Sequence, residues 1–352
     1  MHYHLALGSL LNLDEVILEA QQGNRPGHAM WNLRQELDAI VHMPTPDAVQ
    51  PIDHIRAKLI SLPEHWALAR QLSERLGKDD VIYCNGEDIG IPLATLCQAA
   101  PHRPKIICFF HTANRPRVRM MLKLFRLQEK IDVFVSNTAP QFDQLRQTLN
   151  NIDESRLFYL PEQIDVDFFC PGPPAADKSR PVIASVGLEK RDYKILAQAT
   201  ADLEVDVKIS GFSRDVRPLA KSFPKILPAN MSRRFYAWTE LVQLYRDADI
   251  VVVSLFESID SAGITTLLEA MACGRPVIST ETKGLADYLQ TPGTVMTIKP
   301  GDLQGLKSAI AHLLNHPEEA ELQGKRAYKL ATSHHNTNRN IAALSTLIRS
   351  VS

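Results

Sequence analysis

The sequence lacks the features that mark several classes of protein. No apolar run approaches the about 18–20 residues that a membrane-spanning helix requires, and the amino terminus has neither the charged start nor the apolar core of a signal peptide. Its 39 Lys and Arg balance 40 Asp and Glu, so no overall charge favours nucleic acid. The five cysteines form no C-x-x-C pair, which argues against a disulfide framework or a zinc site. We therefore expect a soluble, cytoplasmic protein.

What the sequence does contain is a regular alternation of short β-branched runs and longer amphipathic stretches. Its 352 residues are about twice the length of a typical domain, and the hydrophobic fraction of 45% is ordinary for a globular chain. Alternation at this spacing predicts βαβ units and a mostly parallel sheet covered on both faces. In the first half we predict strands at residues 15–18, 39–42, 81–83, 105–110, 133–136 and 157–160, and helices at residues 29–37, 55–76, 92–99, 118–129 and 140–149.

A proline-rich polar stretch at residues 165–181 interrupts the alternation and predicts a linker between two domains. The sequence therefore predicts two doubly wound, Rossmann-like α/β domains at residues 1–165 and 166–335, with a final helix (residues 336–352) that packs back on the first domain. Ligands of such sheets bind beyond the carboxyl ends of the strands, so we expect a cleft between the domains. After the linker we predict strands at residues 182–186, 205–210, 250–254, 276–279 and 295–298, and helices at residues 192–201, 238–246, 265–272, 303–315, 317–332 and 338–350.

The most informative segment is SAGITTLLEAMACGRPVIS, at residues 261–279. A glycine-containing turn precedes a helix that starts near Thr265, and the unpaired N–H groups of a helix start suit an anionic phosphate. Glu269 falls one turn into that helix, where its carboxylate could accept hydrogen bonds from a ribose diol. The alternative is a surface glutamate on an amphipathic helix, and the spacing alone does not decide between the two.

This segment closely resembles the signature of the glycosyltransferases of family 4 (group 1), which use nucleotide sugars and have the GT-B fold. The second half of the family pattern recurs as LEAMA at residues 268–272, Gly274 and PVI at residues 276–278. The resemblance covers about residues 160–330, whereas the first half of the chain matches in rhythm alone. Other parts of the pattern recur in order at Asp165, Phe169 and Pro171, at Val186 and Gly187, at Ile209, Ser210 and Gly211, and at residues 240–249.

The resemblance implies an enzyme that moves a sugar from a nucleotide diphosphate donor to a hydroxyl acceptor, with retention of the anomeric configuration. The acceptor would be a glycan, a lipid or a small molecule. No metal or other cofactor is implied, because the nucleotide sugar is a co-substrate. The residues that the resemblance assigns to the donor and its nucleotide are Gly187, Gly211, Ser261, Gly263, Ile264, Thr265 and Glu269.

The family usually places a second acid, which holds hydroxyls of the donor sugar, eight residues before the ribose-binding glutamate. The strict position here is Ser261. A one-residue insertion, which the doubled Thr265-Thr266 indicates, would give the role to Asp260, and Glu257 is a third candidate. The assignment stays open between these residues.

Two cations near the start of the second domain are candidates for binding the donor diphosphate. The family commonly has an arginine directly after the glycine, where this chain has Leu188, and Lys190 and Arg191 follow. The planar fork of arginine binds phosphate oxygens bidentately, so Arg191 can fill this role. The alternative is two solvated charges at a helix start, where the helix dipole disfavours them. We expect both residues to stabilise the charge that builds on the leaving diphosphate.

Candidate residues of the first domain are His111 and a loop at residues 22–28. His111 ends a strongly apolar strand, and the resemblance places such a histidine against the donor sugar. A histidine satisfied by a backbone partner is the alternative. The loop follows the first predicted strand and takes the place of the family's glycine-rich loop, which puts Gly23, Gly27 and His28 on the acceptor side. A plain turn is the alternative reading.

Two further features concern metals and membranes. The pair Asp165 and Asp167 has the D-x-D form that holds a metal in a different glycosyltransferase fold, but here it belongs to the linker motif, and we predict no metal site. The stretch from Arg115 to Lys130 carries six basic residues against one acid. A basic amphipathic helix can lie on the inner face of an anionic membrane. A helix that simply covers a sheet with a charged outer face is the alternative.

Three functions are compatible with these patterns. The first is the glycosyltransferase, whose partners are a nucleotide sugar and a hydroxyl acceptor. The second is a non-catalytic nucleotide-sugar-binding or scaffold protein, which Ser261, Leu188 and the loop without a doubled glycine favour. The third is a sugar-nucleotide epimerase of the same fold, which needs no acceptor.

Overall fold

The structure is a computed structural model, and it describes residues 2–97, 102–149, 151–212 and 218–351. The chain divides into two compact units. Within the described residues, each unit contains one parallel sheet of six strands. The first unit comprises Met1–Ile17, His28–Pro161 and Asn340–Ser352, and the second comprises Leu18–Gly27 and Glu162–Arg339.

The sheet of the first unit has the strand order β2-β1-β3-β4-β5-β6. Its strands are short and are covered by helices on both faces, as a parallel sheet requires. The strands are β1 His2–Ala6, β2 Ile40–His42, β3 Asp80–Cys84, β4 Lys105–Phe109, β5 Val133–Ser136 and β6 Leu157–Tyr159, and the helices are α1 Leu13–Gln21, α2 Ala29–Leu37, α3 Pro51–Ala57, α4 Pro63–Arg75, α5 Glu87–Leu96, α6 Pro116–Leu124 and α7 Ala139–Thr148.

Alternate residues of each strand supply the two cores of this unit. Ile82 of β3 packs with Trp66 in one cluster, whereas its neighbour Val81 packs with Leu33 in the cluster on the other face. Successive side chains of a strand point to opposite faces, so both neighbours are apolar here. Burial of each such side chain contributes about 1.5–3 kcal/mol.

The sheet of the second unit has the strand order β12-β11-β10-β7-β8-β9. From β7 the chain builds outward through β8 and β9, and then returns to place β10 on the other side of β7. The order therefore reverses between β7 and β10. The strands are β7 Val182–Val186, β8 Asp206–Ser210, β9 Met231–Arg233, β10 Ile250–Val253, β11 Val277–Thr280 and β12 Met296–Ile298, and the helices are α8 Tyr193–Thr200, α9 Trp238–Asp247, α10 Ile264–Ala272, α11 Leu303–Asn315, α12 Pro317–His334 and α13 Thr337–Ser350.

The last helix, α13, belongs to the first unit from Asn340 onward. Its apolar residues Ile341, Leu344 and Ile348 are buried in the same cluster as Leu33. Among the helices of the described residues, each falls short of the length or the apolar character that crossing a bilayer would need.

The strand predicted at residues 15–18 is wrong, because this segment lies in helix α1. The β-branched pair Val16-Ile17 favoured a strand, but the side chain of Asn12 accepts a hydrogen bond from Glu15 N at 3.2 Å and so caps a helix. The first strand is instead β1, whose two histidines concealed its apolar residues. The short strand β9 was also missed.

Two predicted helices are interrupted in the structure. The helix predicted at residues 55–76 is two helices, α3 and α4, because Pro63 starts a new helix and Ser61 has a left-handed backbone (φ 66°). The helix predicted at residues 118–129 ends as α6 at Leu124, and a short 3₁₀ turn follows a left-handed Arg126. Helix α5 begins at Glu87, before the predicted start, and Gln98 and Ala99 at the predicted end lie outside the described residues.

A hydrogen-bonded histidine pair links three strands of the first sheet. His4 Nδ1 lies 2.9 Å from His42 Nε2, and His4 Nε2 lies 3.4 Å from Asp80 Oδ1. Burial lowers the pKa of both histidines, that of His42 to about 4, and the charge of Arg75 lowers the latter further. The hydrogen bond to Asp80 acts in the opposite direction on His4. Both rings are therefore neutral in the folded protein near pH 7.

We predict that this pair makes the protein less stable in mild acid. Below the ordinary histidine pKa of 6.5 the unfolded chain binds protons that folded His42, with a pKa of about 4, does not bind, so stability is lost as the pH falls through this window. The loss is of the order of 1–3 kcal/mol. Melting temperatures between pH 7 and pH 5 should fall less steeply for His42→Gln than for the wild type, whereas exposed His54→Gln should follow the wild type. If the melting temperatures of the wild type and of His42→Gln depend on pH in the same way, the lowered pKa of His42 is not the cause of the loss of stability.

Candidate functional site

The strongest candidate site lies at the carboxyl ends of β7 and β10, where the strand order of the second sheet reverses. Loops that leave such a point diverge to opposite sides of the sheet and leave a crevice where ligands bind. The two loops are joined here: Arg191 and Leu255 form an antiparallel bridge, and Phe256 N donates to Lys190 O at 2.9 Å. The sequence-predicted donor residues of both loops are thereby brought to one place.

Glycine is required at two points of this crevice. Gly187 (φ 97°) follows β7, and a β-carbon there would lie 2.5 Å from Nη2 of Arg191. Gly263 (φ 96°) precedes α10, and a β-carbon there would lie 3.0 Å from the side chain of Val253. Both backbones are in the left-handed region that favours glycine, and a β-carbon at either position would also crowd a neighbouring side chain.

The amino end of α10 lies in the same place. Gly263 is its N-cap, Ile264 is buried and Thr265 is exposed at the first turn, which contains no acidic residue. After this point the helix is buried in the core of the unit, and its residues other than Thr266 and Glu269 are apolar. Its exposed first turn therefore presents N–H groups and the positive end of the helix dipole.

Arg191 is buried, with 3% of its surface exposed. Its guanidinium donates to Val186 O at 2.8 Å, to Glu189 O at 3.1 Å and to Thr266 Oγ1 at 2.8 Å. These bonds connect the end of β7 to the first turn of α10. Among the described residues no carboxylate lies within 4.0 Å of it. A buried cation without an ion pair lowers the free energy of unfolding, and an anion that binds beside it offsets this loss.

Glu269 is also buried, with 5% exposed, and lies in the second turn of α10. Its Oε2 accepts a hydrogen bond from the hydroxyl of Tyr245 at 2.5 Å. Burial raises the pKa of this carboxyl to about 7, although the Tyr245 hydrogen bond and the charge of Arg191 act in the opposite direction. The residue is thus not the surface glutamate of the alternative interpretation, and Oε1 is the oxygen that Tyr245 leaves free.

Lys190 and Asp260 form the more accessible part of the site. Lys190 Nζ lies 3.4 Å from Asp260 Oδ2, and their side chains are 37% and 22% exposed. Asp260 is held by a hydrogen bond from its N to Ser258 Oγ at 3.0 Å, and a β-carbon on Gly284 would lie 1.8 Å from its carbonyl oxygen. The structure therefore brings together two residues that the sequence predicts as catalytic.

The other candidates for the sugar-binding acid lie nearby. Ser261 is half-buried and its carbonyl accepts from Ile264 N at 3.4 Å, so it forms the turn that starts α10. Glu257 is exposed. Of the three candidates, Asp260 is the one that contacts the cation Lys190.

Sequence reasoning identified Gly211 but missed the residues around it. Arg233 Nη2 donates to Gly211 O at 2.7 Å, and the guanidinium lies over the rings of Phe212 and Phe223, at 4.9 and 4.0 Å from their centroids. Phe212 and Phe235 are 48% and 66% exposed. Phe212 and Phe235 each lie two residues after the end of a strand, β8 and β9. Aromatic residues at these positions are the signal in the sequence that could have identified this group.

His111 lies at the carboxyl end of β4 in the first unit, as predicted. Its Nε2 lies 3.0 Å from Asn85 O, its ring contacts Phe109, and its backbone N donates to Glu87 Oε2 at 2.8 Å. It has the backbone partner of the alternative interpretation, yet it is exposed and lines a cavity of about 410 Å³.

The loop at residues 22–28 follows helix α1, not the first strand as expected. Gly23 (φ 74°) ends that helix, Gly27 N donates to Asp165 Oδ2 at 2.7 Å, and His28 caps α2 by accepting from Met30 N at 3.3 Å. Each residue has a local structural task, and their acceptor-side role stays a prediction. The turn that does follow the first strand contains Gly8, whose N donates to Asn85 Oδ1 at 3.1 Å.

Asp165 binds backbone amides with both carboxylate oxygens. Oδ2 accepts from Gly27, and Oδ1 accepts from Asp167 N and Phe168 N at 3.0 and 3.2 Å. In the described ranges, no three or more His, Cys, Asp or Glu side chains are grouped so as to hold a metal ion. That the reaction requires no metal stays a prediction.

Comparison with known proteins finds sequence similarity to glycosyltransferases over part of the chain. Residues 180–316 match the family model "Glycosyl transferases group 1". D-inositol 3-phosphate glycosyltransferases of Mycobacterium sp. strains JLS and KMS are each 28% identical over 179 residues, which is 45% of this chain and 39% of theirs. The chain thus aligns with about two fifths of the length of these relatives.

Solved structures extend the likeness to both units. The structure of Anabaena Alr3699/HepE in complex with UDP-glucose matches this chain with a TM-score of 0.69 at 15% sequence identity. The match covers 99% of this chain and 100% of the HepE chain. Sucrose-phosphate synthase from Thermosynechococcus elongatus matches with a TM-score of 0.72 at 16% identity, and the match covers 100% of this chain and 99% of the synthase chain. The predicted fold class, GT-B with two Rossmann-like parallel sheets, is confirmed, and the chain resembles the group 1 glycosyltransferases.

We predict that Arg191 is required for stability as well as for binding. Arg191→Ala removes three buried hydrogen bonds and should cost about 3 kcal/mol, because the carbonyls of Val186 and Glu189 lose their donor. Arg191→Lys keeps the charge but not the planar fork, so it should lower the melting temperature nearly as much. Exposed Lys190→Ala is the control and should melt within about 2 °C of the wild type. Wild-type stability of Arg191→Lys would contradict the role of the fork.

Proposed function

We propose that the protein is a glycosyltransferase that moves a sugar from a nucleotide diphosphate sugar to a hydroxyl acceptor, with retention of configuration. The observation that carries this proposal is the buried guanidinium of Arg191, which lies between Gly187 and the first turn of α10 without a carboxylate partner within the described residues. A diphosphate at this point would complete the charge of Arg191 and accept hydrogen bonds from the exposed turn.

The donor diphosphate is assigned to three sources of positive potential. Gly187 has no side chain to keep a phosphate from the backbone. Thr265 is exposed in the first turn of α10, where helix N–H groups lack intrahelical partners, and Lys190 is exposed enough to contact an oxygen directly. Negative charge on the diphosphate is largest as it leaves. Preorganised cations and dipoles therefore lower the barrier more than they stabilise the bound donor.

The proposed reaction is a substitution at the anomeric carbon. The bond from that carbon to the β-phosphate oxygen breaks, and a bond to the acceptor hydroxyl oxygen forms on the same face of the sugar. The hydroxyl proton passes to the departing β-phosphate, so the products are the glycoside and the nucleoside diphosphate. Asp260 and His111 are proposed to contact the donor sugar, and Oε1 of Glu269 to accept from the ribose.

Similar proteins guide the choice of donor. Anabaena HepE was solved with UDP-glucose, so uridine sugars head the donor screen for this chain. The exposed rings of Phe212 and Phe235 are compatible with a nucleobase that stacks on an aromatic side chain.

A non-catalytic nucleotide-sugar-binding protein is the second candidate, and Leu188 favours it. This residue is 5% exposed and occupies the place where the family commonly has an arginine. One phosphate contact is therefore replaced by a core side chain. Binding of a donor without any turnover would identify such a protein.

We predict that one nucleotide diphosphate sugar among UDP-, GDP- and ADP-glucose raises the melting temperature of the wild type, because a ligand that binds only the folded state stabilises it. The same donor should be hydrolysed slowly without an acceptor. Lys190→Ala should lower this rate at least about tenfold and change donor affinity less, because it removes charge stabilisation from the leaving group. Lys225→Ala, which removes an exposed lysine outside the site, is the control. Equal losses of rate and affinity in Lys190→Ala would contradict its catalytic role.

We also propose that α6 contacts an anionic membrane surface. Met120 and Leu124 are 44% and 63% exposed on this helix, and Arg117, Arg119 and Lys123 surround them. An exposed apolar pair within a basic face is the pattern of a helix that lies in the headgroup region. A helix that merely covers the sheet usually has a charged outer face, so an apolar pair on that face favours the membrane contact.

Flotation with vesicles tests this contact. The wild type should float with vesicles that contain phosphatidylglycerol and not with pure phosphatidylcholine, because the basic residues add about 1 kcal/mol each near an anionic surface. Met120→Ser combined with Leu124→Ser should reduce flotation, whereas Leu322→Ser, which removes an exposed leucine of α12, should not. Flotation that is independent of lipid charge, or of these two residues, would contradict the proposal.

A further inference from the structure

We infer that the second unit has another ligand site, a largely apolar cavity that binds a small amphiphilic anion through Arg275. The ligand would carry a carboxylate or phosphate group on an aliphatic chain or an aromatic ring. The cavity lies at the end of the second sheet opposite to the donor crevice. This inference goes beyond the proposed function and does not depend on it.

The position of the cavity separates it from the donor. It is lined by Pro181, Asp249 and Pro276, each of which directly precedes a strand, β7, β10 and β11 respectively. The cavity therefore lies at the amino ends of these strands, whereas the donor crevice lies at the carboxyl ends of β7 and β10. All of its lining residues belong to the second unit. A ligand of this cavity would not occupy the donor crevice.

Apolar side chains form most of the cavity walls. Pro171, Leu313, Leu314 and Pro317 line it, and its volume of about 460 Å³ lies within the range of small-molecule sites. Tyr328 lines it as well and is 38% exposed. Such walls bind a hydrocarbon chain or a ring, because the burial of apolar surface is favourable.

Arg275 is a cation of this cavity that no carboxylate neutralises. It is half-buried, and its Nε donates to Cys273 O at 3.3 Å. Nη1 and Nη2 donate to Ala248 O and Gly172 O, each at 3.4 Å. All three bonds are longer than the usual N–H···O distance of about 2.9 Å. In the ranges that the structure describes, no carboxylate oxygen lies within 4.0 Å of this guanidinium.

The two acids that line the cavity are engaged by other groups. Asp249 Oδ1 accepts from Lys178 Nζ and its Oδ2 accepts from Val182 N, both at 2.7 Å. Glu321 Oε1 lies 2.6 Å from Lys325 Nζ, four residues further along α12. Neither acid therefore supplies the anion that the arginine lacks.

Burial leaves the charge of Arg275 poorly solvated. It lowers the pKa of the guanidinium, although the charges of Asp249 and Asp247 act in the opposite direction. An anion that binds beside a half-buried cation offsets its loss of solvation. The planar fork can donate two parallel hydrogen bonds to a carboxylate or a phosphate. Apolar walls with one such cation describe an amphiphilic anion and do not suit a free sugar.

The test is calorimetric titration of the full chain with octanoate and octyl phosphate. Octanamide and octanol are the neutral counterparts, and acetate and inorganic phosphate are the anions without the chain. At least one octyl anion should bind about tenfold or more tightly than both its neutral counterpart and its short anion. A preference for octanoate identifies a carboxylate ligand, and a preference for octyl phosphate identifies a phosphate monoester.

Variants locate the binding. Arg275→Gln should abolish the preference for the anion, and Arg275→Lys should retain part of it because the charge remains. Tyr328→Ala removes an exposed ring and should weaken binding of the octyl anion severalfold, which tests the cavity even if Arg275→Gln fails to fold. Lys329→Gln, which removes an exposed charge of α12 outside the cavity, should bind like the wild type. Lys190→Ala should do so as well, because it alters only the donor crevice.

Three results would overturn the inference. The first is failure of both octyl anions to bind better than their counterparts. The second is wild-type binding in folded Arg275→Gln or in Tyr328→Ala. The third is loss of binding in Lys190→Ala, which would place the anion in the donor crevice. Since none of the probes carries a nucleotide or a sugar, their failure would leave the proposed transfer unaffected.

Discussion

The second unit is organised around a single buried arginine. The guanidinium of Arg191 donates to the last carbonyl of β7, to a carbonyl of its own loop and to a hydroxyl in the first turn of α10. It thereby fixes the distance between a strand end and a helix start, which come from sequence segments more than seventy residues apart. The two glycines beside it have left-handed backbones, and a β-carbon at either would crowd a neighbouring side chain.

The same arrangement has an electrostatic consequence. A buried cation beside the positive end of a helix is unfavourable for the empty protein, and an anion that binds there relieves both. The carboxylate of Glu269 does not fill this role, because burial raises its pKa to about 7 and Tyr245 binds one of its oxygens. The arrangement therefore favours binding of an external anion, and the more accessible cation, Lys190, is paired with Asp260.

Periodicity and motif spacing predicted most of the fold, but not its start or the state of its buried charges. Strands such as Val133–Ser136 and Val182–Val186 are continuous apolar runs, so their boundaries could be predicted. The first strand, His2–Ala6, could not, because His2 and His4 look polar in a sequence although His4 is buried and hydrogen-bonds to His42. The family resemblance likewise assigned both Arg191 and Glu269 to the donor. It could not show that both are buried, because burial depends on neighbours such as Thr266 and Tyr245 that lie on other elements.

Backbone amide hydrogen exchange with and without UDP tests the central claim most directly, because it reports on the amides themselves. Exchange in the first turn of α10, at Thr265 and Thr266, should slow when the nucleotide binds, whereas Gly187 N already donates to Ser210 O. Protection confined to other segments, with these amides unchanged under saturating UDP, would show that the Arg191 crevice does not bind the diphosphate.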